Sequence, residues 1–303
     1  MSRWTALVRG FAWLAALTLA GAAAAADSLV VMTWNLENYV AEDRMVDGEY
    51  RKEFPKPEKA KTALRAAIRA ASPDVLALQE MGPEPYLEEL QRDLATEGAA
   101  YPHRALVDGP DLKRHVAVLS RVPLAEVQPH HEVRTLGRDD PGFVSRGVLE
   151  VTVLCGAREV TLFVVHLKSR HTNNPADPFS AAQRQAEAEA VRNLVLRQLP
   201  RPQTASFLIL GDCNDTPRSR PVQALLRRGE TVVAELLPAR DANGDAWTHY
   251  FRKEDSYSRV DYLCVSPGLR PAVAKSWIFD SADVRAASDH RPLLVRFECV
   301  GGR

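Results

Sequence analysis

The sequence has no excess of charge of either sign. Lys plus Arg and Asp plus Glu number 39 each in 303 residues. A protein coated for general nucleic-acid binding needs a basic surplus, so that class is excluded, although a local basic groove is not. Cysteine is sparse: Cys155, Cys213, Cys264 and Cys299 are the four present, and none has the paired spacing of a zinc site. Histidines spaced to place two imidazoles on one helical face are also absent, which argues against a zinc hydrolase of that type. Beyond the first 26 residues no apolar run approaches the ~20 residues that a permanent membrane span requires. No composition break and no solenoid-type repeat divides the chain.

The first 26 residues read as a cleavable signal peptide. Arg3 and Arg9 form a positive n-region, Phe11 to Leu19 a short apolar stretch, and Ala24-Ala25-Ala26 a small-residue cleavage site before Asp27. The expectation is a secreted or periplasmic protein, monomeric, with residues 27–303 as one domain. Cleavage leaves 37 basic against 39 acidic residues, a formal charge of −2. Export permits disulfides. Cys213, beside acidic residues, and Cys264, inside an apolar strand, read as buried thiols. Cys155, at a hairpin turn, and Cys299, after the last strand, could pair, but connectivity is open at this level.

Apolar patterning alternates strands with helices. Leu29–Trp34, Val75–Leu78, Val116–Leu119, Phe207–Leu210, Val260–Val265 and Leu293–Phe297 are strand-like. Gly147–Leu154 and Val160–Val165 flank a short turn and predict a hairpin. Ala60, Leu64, Ala67, Ile68 and Ala71 make the stripe of an amphipathic helix. Further helices are predicted over Glu84–Leu94, Ser180–Leu199 and Ser219–Arg228. Two such runs in succession predict two packed sheets with helices outside. Tyr39–Lys56, Val127–Arg146, Ser169–Phe179 and Leu237–Ser258 read as long loops, with a hairpin in the aromatic stretch Trp247–Tyr257. Asp241-Ala242-Asn243-Gly244-Asp245 starts like a calcium loop but lacks the glycine and glutamate that such a loop needs further on, so it reads as a turn.

The strands end in chemistry-bearing groups. Asn35 follows Met32-Thr33-Trp34, Glu80 follows Leu76 to Gln79, and His166 follows Phe163-Val164-Val165. Asp212 and Asn214 follow Leu208 to Leu210; Asp289 and His290 precede the final strand. Asp261 lies inside a strand, where a carboxylate must be paired or bind a cation. Taken singly, each has an ordinary reading as a turn former or packed side chain. Together they make an oxygen-rich set with two imidazoles, which suits a hard cation such as Mg²⁺ or Mn²⁺ and phosphate chemistry.

Seven segments in order resemble the endonuclease/exonuclease/phosphatase superfamily. They are Thr33-Trp34-Asn35-Leu36, Leu78-Gln79-Glu80, Val116 to Arg121, Val165 to Ser169, Gly211 to Asn214, Ser258 to Tyr262, and Ser288-Asp289-His290. The resemblance implies an α/β class fold, a four-layer α/β/β/α sandwich of two packed mixed sheets, with the active site at one pole. It implies Glu80 as principal metal ligand, with Asn35 and Asp289 in the metal region. Asp212 would orient or activate water, Asn214 would hold a phosphate oxygen or the metal, and His166 would bind the phosphate. His290, oriented by Asp261, would act as base or stabilise the phosphate.

Cys213 stands where family members often carry an aromatic residue, and His115 before Val116 is also unusual. Arg146, Lys168 and Arg170 are candidates for substrate contact; with Arg134, Arg138 and His171 they could form a basic rim for nucleic acid. The expected activity is hydrolysis of a phosphodiester substrate, nuclease-like in the leading reading. A phosphatase or a sphingomyelinase-like phospholipid phosphodiesterase is the alternative, and a non-catalytic binding protein of the same fold is the reading from another class.

Overall fold

The computed structural model describes residues 27–136, 142–172 and 174–299; the expected signal peptide and Arg138 lie outside them. The first half of the chain forms β1 (Ser28–Tyr39), β2 (Glu42–Val46), β3 (Glu49–Phe54), α1 (Glu58–Ala71), β4 (Val75–Met81), α2 (Glu84–Thr96), β5 (His103–Val107), β6 (His115–Ser120), β7 (Leu124–His130) and β8 (Val148–Cys155). The second half forms β9 (Arg158–His166), α3 (Ala181–Gln198), β10 (Phe207–Asp212), α4 (Arg220–Leu226), β11 (Arg227–Arg228), β12 (Thr231–Val232) and β13 (Glu235–Leu236). It closes with β14 (His249–Phe251), β15 (Ser256–Ser258), β16 (Asp261–Val265), β17 (Val273–Ile278), α5 (Ala282–Ala287) and β18 (Leu293–Glu298).

Two six-stranded mixed sheets carry the fold, in the orders β17-β18-β1-β4-β6-β5 and β13-β16-β10-β9-β8-β7. Side chains alternate along a strand, so a strand buried on both faces serves two cores. In β1, Leu29 and Val31 join the layer between the sheets, where Val75, Val118, Leu162, Leu208, Leu263 and Val295 meet. Met32, Trp34 and Leu36 face the other way, onto Leu64 and Ile68 of α1 and Leu87 and Leu90 of α2. The second sheet repeats the arrangement: Phe163, Val165 and Ile209 pack under Val191 and Leu194 of α3 and Val222 of α4. Three apolar layers separate four layers of structure, α/β/β/α. Helix α1 stops where Ser72, in the left-handed region at φ 46°, donates its amide to Ile68 and Pro73 blocks continuation.

The 39–56 segment is not a loop. Its charged strands β2 and β3 pair as an exposed hairpin. Strands β5 and β17 and helix α5 add to the elements read from sequence, while Leu124–His130 turns part of the expected 127–146 loop into an edge strand. The 219–228 helix is shorter than expected: Arg227 and Arg228 leave it for a two-stranded pairing with Thr231 and Val232. The 147–165 hairpin turns on Gly156 and Ala157 between paired Cys155 and Arg158. Cys155 is bonded to Cys299, 144 residues away, so the disulfide ties the chain's end to that turn. Cys213 and Cys264 are buried free thiols. Asp241 accepts the amides of Asn243 and Asp245 and closes the 241–245 turn on itself.

Candidate active site

Two parallel pairs bring four strand ends to one pole. Strand β1 runs beside β4 with Asn35 opposite Gln79, one residue before Glu80. Strand β9 runs beside β10 with His166 opposite Asp212. Antiparallel neighbours begin at the same pole: β16 starts with Asp261 opposite Asp212. Strand β18 starts with Leu293 opposite Thr33, just after Asp289 and His290. Strand β10 reaches its end only because residue 211 is glycine. Its φ is +137°, and a Cβ there would lie 2.0 Å from the Val165 carbonyl oxygen.

Hydrogen bonds hold each group in place. Asn35 Nδ2 donates to Asp212 Oδ2 across the two sheets at 3.0 Å, and Asn35 Oδ1 accepts the Glu37 amide. The Asn35 carboxamide is therefore engaged at both ends, which makes it a brace for Asp212 as much as a neighbour of Glu80. Asp212 Oδ1 accepts the amide of Asn214, whose side chain donates to the Leu167 carbonyl. His290 Nδ1 lies 2.9 Å from Asp261 Oδ2. The His290 amide donates to Ser288 Oγ, Ser288 Oγ donates to the Asn35 carbonyl, and Trp34 Nε1 donates to the His290 carbonyl. The loop carrying His290 is thus stapled to the end of β1. The Val260 and Asp261 amides both donate to Thr248 Oγ1, which fixes the other partner.

His166 is buried and sits 3.5 Å from Asp212 Oδ2 and 3.9 Å from Glu80 Oε1. Glu80, at φ 58°, turns its Oε2 onto the Asn38 amide at 2.8 Å. Glu37 and Asn38, at φ 48° and 57°, share this left-handed conformation. For non-glycine residues that geometry concentrates where structure serves a site.

The electrostatics separate the groups. Burial first, and the Asp261 carboxylate second, push the Asp212 carboxyl up to about 7. Burial opposes charge on His290, but Asp261, Asp212 and Asp289 outweigh it and hold the imidazole well above its ordinary value. His166 moves the opposite way: burial, then the positive charges of Arg146 and His290, push it well below. Burial raises the Glu37 carboxyl, Asp289 raises it further, and Lys56 offsets part of this.

Sequence reasoning missed Glu37 and His249. Glu37 stands two residues beyond Asn35, but the left-handed turn that brings it into the field of Asp289 and Glu80 was not visible in the sequence. His249 arrives through β14, which bridges to His290; the two rings lie 4.6 Å apart, and His249 Nε2 is 3.7 Å from Asp289 Oδ2.

The substrate-contact candidates part company. Arg146 and Lys168 line a cavity of about 700 Å³ that reaches Glu80. Arg170 instead pairs with Asp215 at 3.2 Å, beside the buried Arg184. His115 is buried, 3.5 Å from Asp108, and is not a cleft residue. Cys213 packs in the core under α3 and α4.

A sequence profile of the Endonuclease/Exonuclease/phosphatase family matches residues 32–290, a span that contains every residue of this pole. The chain belongs to that family. Family members hydrolyse phosphoester bonds and include nucleases, phosphatases and sphingomyelinases. Comparison with curated protein sequences finds no match. Among solved structures, the human Nocturnin catalytic domain with bound sulfate is similar at 16% identity and TM-score 0.60, over 89% of this chain and 94% of that one. The 3'-5' exonuclease NExo from Neisseria meningitidis is similar at 18% identity and TM-score 0.57, over 89% and 100%. Sphingomyelinase C from Streptomyces griseocarneus is similar at 19% identity and TM-score 0.56, over 89% and 99%. At these identities the likeness establishes the shared fold.

Proposed function

We propose that the protein is an exported, divalent-metal-dependent phosphodiesterase of nuclease-like type. The observation that carries this reading is the buried Asp261–His290–Asp212 arrangement beside His166 and Glu80. It offers a carboxyl poised near neutrality next to an imidazole held as a cation. A general base works best when its pKa lies close to the operating pH, and Asp212 meets that condition. Asp212 takes the proton of the attacking water as its oxygen bonds to phosphorus; the ester P–O bond breaks, and the departing alkoxide takes a proton from solvent. His290, kept charged and oriented by Asp261, donates to a phosphate oxygen as negative charge develops. Neutral His166 and the Asn214 carboxamide complete the phosphate seat. Asn35 fixes the Asp212 carboxylate through its 3.0 Å bond.

The donors around Glu80 fit a hard cation. Glu80 Oε1 accepts no hydrogen bond among the described residues. Asp289 and Glu37 add oxygen donors whose mutual repulsion a cation relieves. Glu80 and Asp289 would hold Mg²⁺ or Mn²⁺, with Asn35 and Glu37 beside them. Such an ion supplies charge neutralisation at the phosphate oxygens. Two tighter groups, His249–Asp289–His290 and Asp212–Asp261–His290, bring ligating atoms within 4.8 Å of one another. Both depend on His290, whose Nδ1 is already committed to Asp261.

Export is supported by the leader-like residues 1–26 and by the Cys155–Cys299 disulfide, which belongs to oxidising compartments. No helix among the described residues is long and apolar enough to cross a membrane. The exposed aromatics Phe251 and Tyr257 on the β14–β15 hairpin favour a second reading, a phospholipid phosphodiesterase touching a lipid surface. A side-by-side Mg²⁺ assay on plasmid DNA, RNA, sphingomyelin and inositol phosphates decides between them. Cleavage of a nucleic acid supports the first reading; hydrolysis of sphingomyelin alone transfers the conclusion to the second. Inertness toward all four supports a binding protein.

A further inference from the structure

The cavity beside Glu80 is walled by basic side chains that the reaction does not use. Arg114, Arg146 and Lys168 line it together with the His171 ring, against the carboxylates of Asp111 and Glu80, and Arg114 is ion-paired with Glu42. Asp111 is saturated: it accepts the amides of Lys113 and Arg114 and the Nε of Arg146. Arg146 is itself 6% exposed, and its Nη1 has no hydrogen-bond partner. The Lys168 ammonium meets only the Ser169 hydroxyl and the Ser169 and His171 carbonyls. No carboxylate of the described residues lies within ion-pair distance of it.

The walls are braced from beneath. Glu187, fully buried on α3, accepts the Ser145 amide and hydroxyl through Oε1 and the Lys168 amide through Oε2. One carboxylate outside the reacting centre therefore clamps the two segments that carry Arg146 and Lys168. Asp111 does the same for Arg114 and Arg146. A cationic pocket set by buried braces is pre-organised for an anion, because little side-chain freedom remains to be lost on binding.

We infer that this cavity seats a second, non-scissile phosphate of the substrate. The enzyme then selects phosphodiesters that carry a neighbouring phosphate, as in an oligonucleotide or a phosphorylated dinucleotide, over a phosphate esterified to a cationic headgroup. The inference rests on the phosphodiesterase reading above and names its substrate class. Glu80 belongs both to the reacting centre and to the cavity wall, so the two phosphates are neighbours on one substrate. Arg and Lys at such a wall make charge-assisted hydrogen bonds to phosphate oxygens.

The test uses the Mg²⁺-loaded mature chain on bis(p-nitrophenyl) phosphate, TpT, pTpT, TpTp and TpTpT. At least one phosphate-bearing dinucleotide or the trinucleotide is expected to exceed TpT in kcat/KM by roughly 10- to 100-fold, mostly through KM. A gain with TpTpT places the second phosphate in the chain interior; a gain with pTpT or TpTp alone places it at a chain end. Lys168→Ala is expected to bring the ratio to TpT within about threefold of one, the loss of one charge-assisted contact. Equal kcat/KM for TpT and all its phosphorylated relatives overturns the subsite. So does a preference that survives in Lys168→Ala, or sphingomyelin vesicles turned over faster than every nucleotide substrate. If the unaltered chain hydrolyses bis(p-nitrophenyl) phosphate yet shows no preference, only the subsite falls. If it hydrolyses no phosphodiester, both readings fall.

Discussion

Replacing Asp212 with Asn should make the protein more stable above neutrality and nearly inactive. The carboxyl is pushed from 3.8 to about 7, chiefly by burial. The unfolded chain gives up this proton near 3.8, whereas the folded chain keeps it until about 7. Folding is therefore unpenalised below the lower value, increasingly penalised between the two, and fully penalised above about 7. That interval corresponds to a ceiling of about 4 kcal/mol. Two terms reduce it. The Asn214 amide loses a carboxylate acceptor, at about 1 kcal/mol. His290, held charged partly by Asp212 at 4.0 Å, loses part of its support.

The net gain expected for Asp212→Asn is about 1–3 kcal/mol at pH 8, and the difference widens by about 3 kcal/mol between pH 4.5 and pH 8. Urea unfolding in EDTA, so that no cation neutralises the pole, reads this difference directly. Turnover should fall at least ~10²-fold, as for other lost acid–base groups. The unaltered enzyme's kcat/KM should climb with pH through about 7. A stability difference that does not change with pH, or that favours the carboxylate above neutrality, would refute the assignment of Asp212 as a strained, buried base.

Other perturbations test the frame around the site. Joint Cys155→Ser and Cys299→Ser substitution opens a loop closed over 144 residues. It should lower unfolding free energy by about 3–5 kcal/mol in denaturant titration, and reductant should have no further effect on that variant. Gly211→Ala would place a Cβ 2.0 Å from the Val165 carbonyl oxygen. The strands β9 and β10 must part to admit it, so a cost of more than ~3 kcal/mol is expected together with lost activity; a variant as stable as its parent would show that the close approach is not real.

The layered architecture was legible because its signal is local. The apolar runs of β1, β4, β9 and β10 and the stripe of α1 are strong periodic patterns, and Asn35, Glu80, His166 and Asp212 stand at the ends of those strands, while Asp261, Asp289 and His290 lie at or just before the starts of β16 and β18. Asp212, His166 and Asn35 become candidates only as a set, because each alone reads equally well as a turn former or packed side chain. What could not be read depends on contacts across the chain. Strands β2 and β3 are charged and exposed, so no alternation marks them, and the pairing between them is their main signal. Strand β17 and helix α5 are short and carry mixed side chains. The left-handed turn at Glu37 and Asn38 is held by side chains outside it, those of Asn35 and Glu80, which accept its amides. His249 reaches His290 only because a hairpin 41 residues upstream folds back onto it. The separation of Arg146 and Lys168 from Arg170 follows from Glu187 and Asp215, two carboxylates whose partners sequence does not reveal.

A cation-dependent phosphate-cleaving centre is proposed at the pole where Glu80, Asp212 and His290 meet. Hydrolysis of bis(p-nitrophenyl) phosphate by the mature chain, followed with and without EDTA in the parent and in Glu80→Gln, tests it most directly. EDTA should abolish the parent's activity, and Mg²⁺ or Mn²⁺ should restore it. In Glu80→Gln, activity should fall at least ~10²-fold and not recover at the same metal concentration. Hydrolysis indifferent to EDTA, or undiminished in Glu80→Gln, would contradict it.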